Sequence, residues 1–521
     1  MNSYVNVLMT IVILYLLMSL YRREERFQVV NTTSSLIVED SHNLKVEKIV
    51  DFTTLVKDKK QYTVFNPCIT HYMNDLYLCC VRVITKNINL ETDYPNEFPE
   101  IDRSIYGNPN HPWRFKWNRD DKEKGKPYLE FTKFAMLKIN KSPEIGYDIE
   151  LVKSYNEMLN DFSNEVVLNS FRLYDLNNDL KSYANQSLPN FFQRMIDTRI
   201  HKTPVNNLFF LTGNMFLTDD NDSIRKNQKE LRPPEKNCEN GCFIIFIMSF
   251  EINPVTLKIT YLNKPVPLCR YYAGTIEKNW SLIIKPPKNS QLEFIITYQL
   301  ASSINAGHEM LGSFYDLPSN TFNSNCGQLN VVNKGLSFYE VIEDAYKPYL
   351  FISSTTPTIV FNENELIAVG HVKYKYNDFL DPKSNLPLAK FTLDLQAKVR
   401  NFHYDYVYLF FFYTLDNNLN IKRTSLFFLP QPADVALIFP TGLTRVGNND
   451  FCMSYGDYDT NCTAMFITYD DLNNSLIEIN STNFPFFDSS LDEDVMHRLA
   501  REFNFFKYTD WKTTLNKVII K

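Results

Sequence analysis

The chain has 521 residues, of which 44% are hydrophobic and 22% are charged, and its formal net charge is −6. This composition is that of a folded globular protein and excludes a disordered chain. The negative charge, and the lack of a dense lysine and arginine stripe with interleaved aromatic residues, argue against nucleic acid as a partner. The 40 phenylalanines and 31 tyrosines favour strands, whereas only 14 glycines leave turns to asparagine, aspartate and proline.

The first feature along the chain is an uncharged apolar run at residues 5–21. About 17 residues is the lower limit for a helix that spans a bilayer. No basic side chain precedes the run and Arg22 and Arg23 close it, which favours an uncleaved anchor over a cleaved signal peptide. We expect residues 1–26 to anchor a single-pass protein in a secretory-pathway, surface or virion membrane, in either orientation, and residues 27–47 to form a stalk.

Short strands dominate the remaining sequence. Residues 69–83 have the pattern of a hairpin with Asn74-Asp75 as its turn, and residues 95–126 are typical of a polar surface insertion. The other predicted strands are 134–139, 207–217, 242–250, 257–262, 281–284, 292–298, 350–353, 358–361, 366–374, 406–415, 421–429, 442–445, 450–454 and 463–468. Short strands at fairly regular spacing, without alternating long helices, are typical of a sandwich, a barrel or a propeller.

Helical patterns are few. Residues 149–159 predict one short helix. Residues 490–503 predict a clearer one, with Ser489 and Ser490 as its cap, acidic residues in its first turn and arginines near its end. This second helix lies in a predicted C-terminal helical tail, residues 484–521.

The chain contains nine cysteines, and an odd number leaves at least one thiol unpaired within the monomer. Cys238 and Cys242 flank a turn sequence, which permits a local disulfide. No second pair of ligands stands at a spacing suitable for zinc. We therefore expect neither a metal site nor a cofactor.

Five polar clusters lie at the starts or ends of strand-like segments that are far apart in sequence. They are Asn66-Pro67, Ser170-Phe171-Arg172, Glu277-Lys278-Asn279-Trp280, Gly370-His371 and residues 454–459. Polar groups that recur at strand ends in a long all-β chain indicate a radial fold whose strands converge on one pocket. We expect an all-β fold, a five-bladed β-propeller with long insertions over residues 48–483, whose polar clusters meet at one mouth of the central pocket.

The order of these clusters resembles that of glycoside hydrolase family 130, the propeller phosphorylases and hydrolases of β-mannosides, and of related propeller mannosyltransferases. The resemblance covers roughly residues 60–480. It rests on Asn66-Pro67 followed by a strand with Arg82, on E-K-N-W at 277–280, on a strand containing His371 after a Thr-Pro turn, and on S-Y-G-x-x-D at 454–459. It implies transfer or cleavage of a mannose-type glycoside at a central pocket.

The resemblance also implies roles for individual residues. Glu277 and Asp459 are the candidate catalytic residues. The candidate substrate-binding residues are Asn66, Arg82, Arg172, Lys278, Asn279, Trp280, His371, Tyr455 and Asp457. The implied partner is a carbohydrate, with phosphate or a sugar-nucleotide donor as the second substrate, because basic side chains bind phosphate through charge-assisted hydrogen bonds. Hydrolysis, phosphorolysis and transfer all remain open.

One departure from the family pattern bears on catalysis. The family has Asp-x-Arg in its second blade, whereas the nearest match identified in this sequence, Ser170-Phe171-Arg172, lacks the carboxylate. Glycoside cleavage needs an acid that protonates the leaving oxygen, and Asp161 or Asp175 could take that role. Two functions therefore stay open: a glycan-active enzyme, and a catalytically degenerate propeller that binds glycans or a partner at a surface or envelope.

Overall fold

The computed structural model describes residues 42–57, 62–85, 129–154, 173–174, 180–181, 196–217, 242–263, 266–267, 281–299, 309–323, 338–398, 406–430, 437–447, 449–457, 460–488 and 490–511. The predicted anchor and most of the predicted stalk lie outside these ranges, as does Cys238 of the predicted disulfide. Within these ranges, no helix is both long enough and apolar enough to cross a membrane.

The first sheet contains four antiparallel strands that follow one another in the chain. Before it come β1 (Lys45–Val46), β2 (Lys48–Asp51) and α1 (Thr53–Val56), and its strands are β3 (Tyr62–Met73), β4 (Leu76–Thr85), β5 (Leu129–Ser142) and β6 (Gly146–Lys153). The predicted hairpin with its Asn74-Asp75 turn is confirmed. The predicted helix from residue 149 is wrong, because Tyr147 and Ile149 are buried alternately as β6 pairs with β5.

The second and third sheets are also antiparallel and sequential. The pair β7 (Leu173–Tyr174) and β8 (Leu180–Lys181) precedes the second sheet, which contains β9 (Ile196–Lys202), β10 (Leu208–Leu217), β11 (Cys242–Ile252), β12 (Ile259–Tyr261) and β13 (Val266–Pro267). The third sheet contains β14 (Ser281–Ile284), β15 (Gln291–Gln299), β16 (Glu309–Asp316) and β17 (Thr321–Asn323).

The fourth sheet is larger, with eight strands. Its region of the chain contains α2 (Phe338–Ala345), β18 (Leu350–Ser354), β19 (Ile359–Asn362), β20 (Glu365–Lys375), a 3-10 helix (Tyr376–Phe379), α3 (Pro387–Lys398), β21 (Tyr406–Leu415), β22 (Ile421–Thr424) and β23 (Phe427–Leu429). Two further strands reach it from the C-terminal region.

The fifth sheet combines strands from both ends of the described chain. It contains β24 (Ile438–Val446), β25 (Asp450–Asp457) and β26 (Asn461–Ile467), and β2 pairs with β26 as its outer strand. After it come α4 (Tyr469–Ser475), β27 (Ile477–Glu478), a 3-10 helix (Pro485–Phe487), α5 (Glu493–Glu502), β28 (Phe506–Tyr508) and β29 (Asp510–Trp511). Strands β27 and β28 join the fourth sheet, and β29 pairs with β1.

Each sheet packs against the next one in the chain, and the fifth returns to the first. Buried side chains of β4 and β11 form one core between the first and second sheets, and those of β10 and β15 form another between the second and third. Strand β15 of the third sheet contacts β18 of the fourth. Strands β20 and β21 of the fourth sheet contact β24 of the fifth, and β24 contacts β3 of the first. At this last junction Ile69 N donates to Ser454 Oγ (3.0 Å) and Thr441 Oγ1 donates to Pro67 O.

This cyclic order confirms the prediction of an all-β, propeller-like fold. Four of the sheets have the four or five strands of a single blade, whereas the fourth also takes in strands from the C-terminal region. The number of blades therefore stays a prediction. The predicted C-terminal helix is present as α5, but its cap is Asp492, whose side chain accepts from Asp494 N, and not Ser489 or Ser490.

A buried carboxyl group on α2 predicts a pH-dependent stability. Glu343 is 8% exposed and accepts a hydrogen bond from Ile352 N (3.1 Å). Burial raises the pKa of Glu343 from 4.5 to about 7. Between these values the native state binds a proton that the unfolded chain has released, so stability falls as pH rises through this window. Glu343→Gln keeps the acceptor, and we expect its thermal midpoint to fall less than the wild type's between pH 4.5 and 7.

The matched control is Glu363→Gln, since Glu363 is exposed in the turn between β19 and β20. This variant should retain the wild-type slope of midpoint against pH. An identical slope for Glu343→Gln and wild type would contradict the prediction.

Candidate functional site

A cluster of buried polar side chains lies where β9 of the second sheet meets β3 and β4 of the first. Asp197 Oδ1 accepts hydrogen bonds from Asn66 Nδ2 (3.0 Å) and from Arg82 Nη1 (2.8 Å). Asp197 and Asn66 are each 3% exposed, and the Arg82 side chain is 19% exposed. A charged group this deeply buried needs such partners, because desolvation without them is costly.

The backbone is strained at both ends of the contact between Asn66 and Asp197. Asn66 and Asp197 each have φ of +50°, in the left-handed region that most side chains avoid, although Asn and Asp tolerate it best. Strain of this kind costs about 1–3 kcal/mol per residue and collects at functional sites. The left-handed backbone conformation turns the side chains of Asn66 and Asp197, which lie on neighbouring sheets, toward each other.

Asn66 of β3 packs directly on Gly456 of β25, in the fifth sheet. A Cβ added at Gly456 would lie 2.0 Å from Asn66 Oδ1 and 3.0 Å from Asn66 N, so β25 and β3 can approach only with glycine at this position. Within the described residues, Asn66 Oδ1 is buried without a hydrogen-bond partner. An unsatisfied buried acceptor costs about 1–3 kcal/mol of stability.

Arg199 extends the cluster toward the fourth sheet. It follows Asp197 by two residues on β9, is 2% exposed, and donates from Nε to Thr355 O and from Nη1 to Asp197 O. Its guanidinium carbon lies 5.7 Å from the centroid of the Phe439 ring. Burial lowers the pKa of Arg199, and the negative charge of the Asp197 carboxylate opposes this lowering only in part. An arginine remains charged in proteins, so the cluster contains two fixed cations, Arg82 and Arg199.

His371 lies at the far side of this cluster. Its Nδ1 is 3.4 Å from Thr355 Oγ1, and its ring stacks on Tyr408 (5.6 Å between centroids, 17°) and meets Phe439 edge-on (5.4 Å). Burial, and then the charges of Lys373 and Arg199, lower the pKa of His371 to about 3. The imidazole is therefore neutral at physiological pH, which suits hydrogen bonding and positioning more than proton donation.

Of the predicted site residues, Asn66, Arg82 and His371 belong to one network, joined through Asp197, Arg199 and Thr355. Tyr455 and Asp457 lie on β25, where the neighbouring Ser454 and Gly456 face β3. Because side chains alternate along a strand, Tyr455 points to the opposite face, and burial raises its pKa. The predicted residues Arg172, Glu277, Lys278, Asn279, Trp280 and Asp459 lie outside the described residues.

The residue that follows the E-K-N-W stretch is described. Ser281 opens β14, donates from Oγ to Thr356 O, and lies 3.2 Å from Thr358 Oγ1. Thr356 is the neighbour of Thr355, whose carbonyl accepts from Arg199. The start of the third sheet is therefore joined to the segment that also holds Arg199 and His371.

Sequence reasoning missed the central pair of this site, Asp197 and Arg199. Residues 197–199 read Asp-Thr-Arg, which is the Asp-x-Arg pattern sought near Arg172, and they lie on the first strand of the second sheet. An Asp-x-Arg sequence with a carboxylate is therefore present on β9, whereas Arg172 lies outside the described residues. Two contacts fix this strand to β3: Thr70 Oγ1 donates to Ile200 O (2.9 Å) and Ile200 N donates to Cys68 Sγ (3.3 Å).

Comparisons with known proteins found no matching family model and no matching curated protein. Among solved structures, the chain is similar to a mannose phosphorylase from Leishmania mexicana in complex with phosphate (9% identity, TM-score 0.40, 84% of this chain and 92% of that chain). It is also similar to a β-1,2-mannobiose phosphorylase from Listeria innocua (11%, 0.37, 84% and 97%) and to a GDP-Man-dependent mannosyltransferase from Leishmania mexicana (11%, 0.35, 86% and 95%). These similarities are distant, and the family stays an expectation from the sequence.

Proposed function

We propose that the protein is a five-bladed propeller whose blades are the five sheets, and that it transfers or cleaves a mannose-type glycoside at the Asp197 site. The observation that carries this proposal is the buried Asp197 carboxylate. It sits on strained backbone, accepts from Asn66 and Arg82, and has Arg199 beside it. Buried, strained and charged residues brought together from separate strands are the usual mark of a reaction site.

The chemistry assigned to Asp197 follows from its donors. Two hydrogen-bond donors, one of them an arginine, keep the carboxylate ionised. The ionised carboxylate is available to accept the proton of an acceptor hydroxyl as that hydroxyl attacks the donor sugar. In the reverse direction the same carboxyl group returns the proton to the leaving oxygen. The two arginines beside Asp197, Arg82 and Arg199, favour an anionic second substrate, and therefore phosphorolysis or transfer from a sugar nucleotide over hydrolysis.

The other residues take supporting roles in this proposal. Arg82 and Arg199 supply positive charge for a phosphate or a sugar-nucleotide diphosphate. Asn66 positions the Asp197 carboxylate through the hydrogen bond from its Nδ2. Glu277, which precedes Ser281 in the chain, and Asp459, which follows β25, keep the roles of carboxylates that hold sugar hydroxyls or assist the second proton transfer.

A second function, glycan or partner binding without catalysis, is favoured by the contacts of Arg199. Its Nε and Nη1 atoms donate to backbone carbonyls of Thr355 and Asp197, which also suits a residue that simply joins two sheets. A panel of three assays on the full chain in detergent separates the two functions: hydrolysis of an aryl β-mannoside, phosphorolysis of β-mannobiose, and mannose transfer from a sugar nucleotide. We expect turnover in the phosphate or sugar-nucleotide assay. Saccharide binding without turnover in any assay would leave the binding function.

We also propose that residues 5–21 anchor the protein in a membrane, on the strength of their uncharged apolar sequence. Deleting residues 1–26 should release the protein from membranes as a soluble, folded chain with an unchanged thermal midpoint. Membrane fractionation and circular dichroism measure both effects. A full-length chain that fractionates with soluble proteins, or a truncated chain that aggregates, would contradict this proposal.

A further inference from the structure

A lysine and a histidine from two neighbouring sheets meet outside the Asp197 site. Lys202 is the last residue of β9, and its Nζ lies 2.9 Å from His71 Nδ1 on β3 and donates to Tyr72 O (3.0 Å). The same two strands carry Asp197 and Asn66 five residues earlier. A strand advances about 3.3 Å per residue, so the two contacts lie about 16 Å apart. We call Lys202 and His71 the lysine–histidine pair.

The hydrogen bonds of His71 determine which of its ring nitrogens is basic. His71 Nε2 lies 2.9 Å from Asn74 O, and a carbonyl oxygen can only accept, so the imidazole proton is on Nε2. The lone pair of Nδ1 therefore faces Lys202. The position of the ring is fixed further because His71 N donates to Thr444 Oγ1 (3.0 Å) and the ring meets Tyr77 edge-on (5.3 Å). His71 is thus a fixed base directed at the lysine.

The surroundings of the lysine–histidine pair favour its neutral form. Among the described residues, Lys202 Nζ hydrogen-bonds to His71 Nδ1 and Tyr72 O, which are uncharged, and not to a carboxylate. Burial lowers the pKa of Lys202. Burial lowers the pKa of His71 as well, the hydrogen bond to Asn74 O opposes this in part, and the Lys202 charge lowers it further. Both shifts increase the fraction of free amine beside an unprotonated imidazole.

The lysine–histidine pair has the arrangement of an activated nucleophile and is open to reagents. Lys202 is exposed to solvent and His71 is half-buried. In an activated nucleophile the attacking group lies about 2.6–3.2 Å from a base, and a third group orients that base. Here the attacking group is Lys202 Nζ, the base is His71 Nδ1, and Asn74 O orients the imidazole. The geometry is therefore that of a reactive lysine.

We propose that Lys202 is a modification site that takes an acyl group from a thioester such as an acyl-coenzyme A. The neutral Lys202 amine attacks the thioester carbonyl carbon, the C–S bond breaks, and the thiolate leaves. The amine proton passes to His71 Nδ1 and then to the thiolate, so the products are an amide on Lys202 and a free thiol. A thioester is the favoured class because an amide persists at an exposed position, whereas an imine formed with an aldehyde is hydrolysed there.

Acylation changes the contact between the first and second sheets. An amide nitrogen carries one hydrogen, so an acylated Lys202 keeps at most one of its hydrogen bonds to His71 Nδ1 and Tyr72 O. It also removes a positive charge from the end of β9. The modification therefore loosens this end of the junction without altering a residue of the Asp197 site.

Acylation kinetics resolved by site test the proposal on the full-length protein in detergent. The protein is incubated with acetyl-coenzyme A and digested after increasing times, and mass spectrometry measures the acetylated fraction of each lysine. The reference is Lys285, whose side chain is 41% exposed but forms an ion pair with Glu293 (2.9 Å). We expect Lys202 to react about tenfold faster, less than the roughly 10²–10⁴-fold effect of a base in an enzyme, because the thioester comes directly from solution.

Replacing the base assigns the rate to the lysine–histidine pair. His71→Gln keeps a polar side chain that can hydrogen-bond to Lys202 but cannot take its proton, so acetylation of Lys202 should fall to about the rate of Lys285. The Lys285 rate, measured in the same digest, should not change. The matched control is His42→Gln, since His42 is a histidine whose Nδ1 contacts Asn474 O (3.0 Å) and not a lysine. This variant should acetylate Lys202 at the wild-type rate.

The pH dependence of the wild-type reaction tests the proposal without a variant. The Lys202 rate should level off at a lower pH than that of Nα-acetyl-lysine in the same mixture, because burial lowers the pKa of Lys202 and so frees the amine at lower pH. Equal rates for Lys202 and Lys285, an unchanged Lys202 rate in His71→Gln, or the pH profile of Nα-acetyl-lysine would overturn the proposal. These readouts need no glycoside turnover, so they stand apart from the proposed function.

Discussion

Replacing Asp197 by asparagine is expected to reduce turnover by about 10²–10⁴-fold, which is the usual contribution of a positioned acid or base. Asparagine keeps the side-chain oxygen that accepts from Asn66 Nδ2, and it tolerates the positive φ at this position. The variant loses only the negative charge and the capacity to exchange a proton. The measurement is kcat/KM in whichever assay the wild type is active, together with the thermal midpoint and the circular dichroism spectrum.

The loss of charge also leaves Arg82 without its carboxylate, so some stability should be lost. The Arg82 side chain is 19% exposed and can regain water, which limits the effect to a modest fall in thermal midpoint. The control is Asp416→Asn, since Asp416 accepts hydrogen bonds from the backbone of an exposed turn after β21. That variant should keep wild-type turnover. An Asp197→Asn protein that turns over substrate at the wild-type rate would refute the proposed role.

The strands that sequence reasoning predicted well are those marked by local signals. The hairpin formed by β3 and β4 has apolar side chains on both strands and an Asn-Asp turn that adopts positive φ, with Asn74 at +51°. These properties depend only on neighbouring residues. The all-β class and the sequential antiparallel order follow from many such signals, and both are present in the structure.

Strand β9 was missed for a physical reason. It reads Ile-Asp-Thr-Arg-Ile-His-Lys, and its buried polar residues make it resemble a loop in a hydrophobicity pattern. Asp197 and Arg199 are buried because they bond across sheets: Asp197 to Asn66 and Arg82, and Arg199 to Thr355. Such pairings join residues that are far apart in sequence, so no local window reveals them. The Asp-Thr-Arg sequence at residues 197–199 was overlooked together with the strand.

Asn66 was predicted as a site residue, and the structure places it in a buried polar network whose contacts the sequence did not reveal. The Asn-Pro dipeptide is visible in the sequence, whereas its contact with Gly456 joins positions 390 residues apart. The same limit applied to His371, whose neutral state depends on burial and on the charge of Arg199. Motif order therefore named members of this network, while the contacts between sheets that join them could not be read from the sequence.

Substituting Gly456 by alanine is expected to eliminate most activity through Asn66. The added Cβ would lie 2.0 Å from Asn66 Oδ1, so the side chain that bonds to Asp197 must move. Overpacking of this kind costs about 1–3 kcal/mol, and we expect a lower thermal midpoint as well as a large fall in kcat/KM. The double variant Gly456→Ala, Asn66→Gly removes the clashing side-chain atoms and tolerates the positive φ, although the close contact with the backbone N of residue 66 (3.0 Å) remains. It should regain part of the midpoint without regaining activity.

The control for stability alone is Gly447→Ala, in the turn between β24 and β25. Gly447 has φ of +56°, and the nearest atom to an added Cβ there is Tyr147 Oη at 3.9 Å. This substitution should cost about 1–2 kcal/mol of backbone strain without displacing any residue of the network. If the activities of Gly447→Ala and Gly456→Ala both fall in proportion to the loss of thermal midpoint, the Gly456→Ala substitution acts through stability. If Gly447→Ala stays active while Gly456→Ala does not, the position of Asn66 is what activity requires.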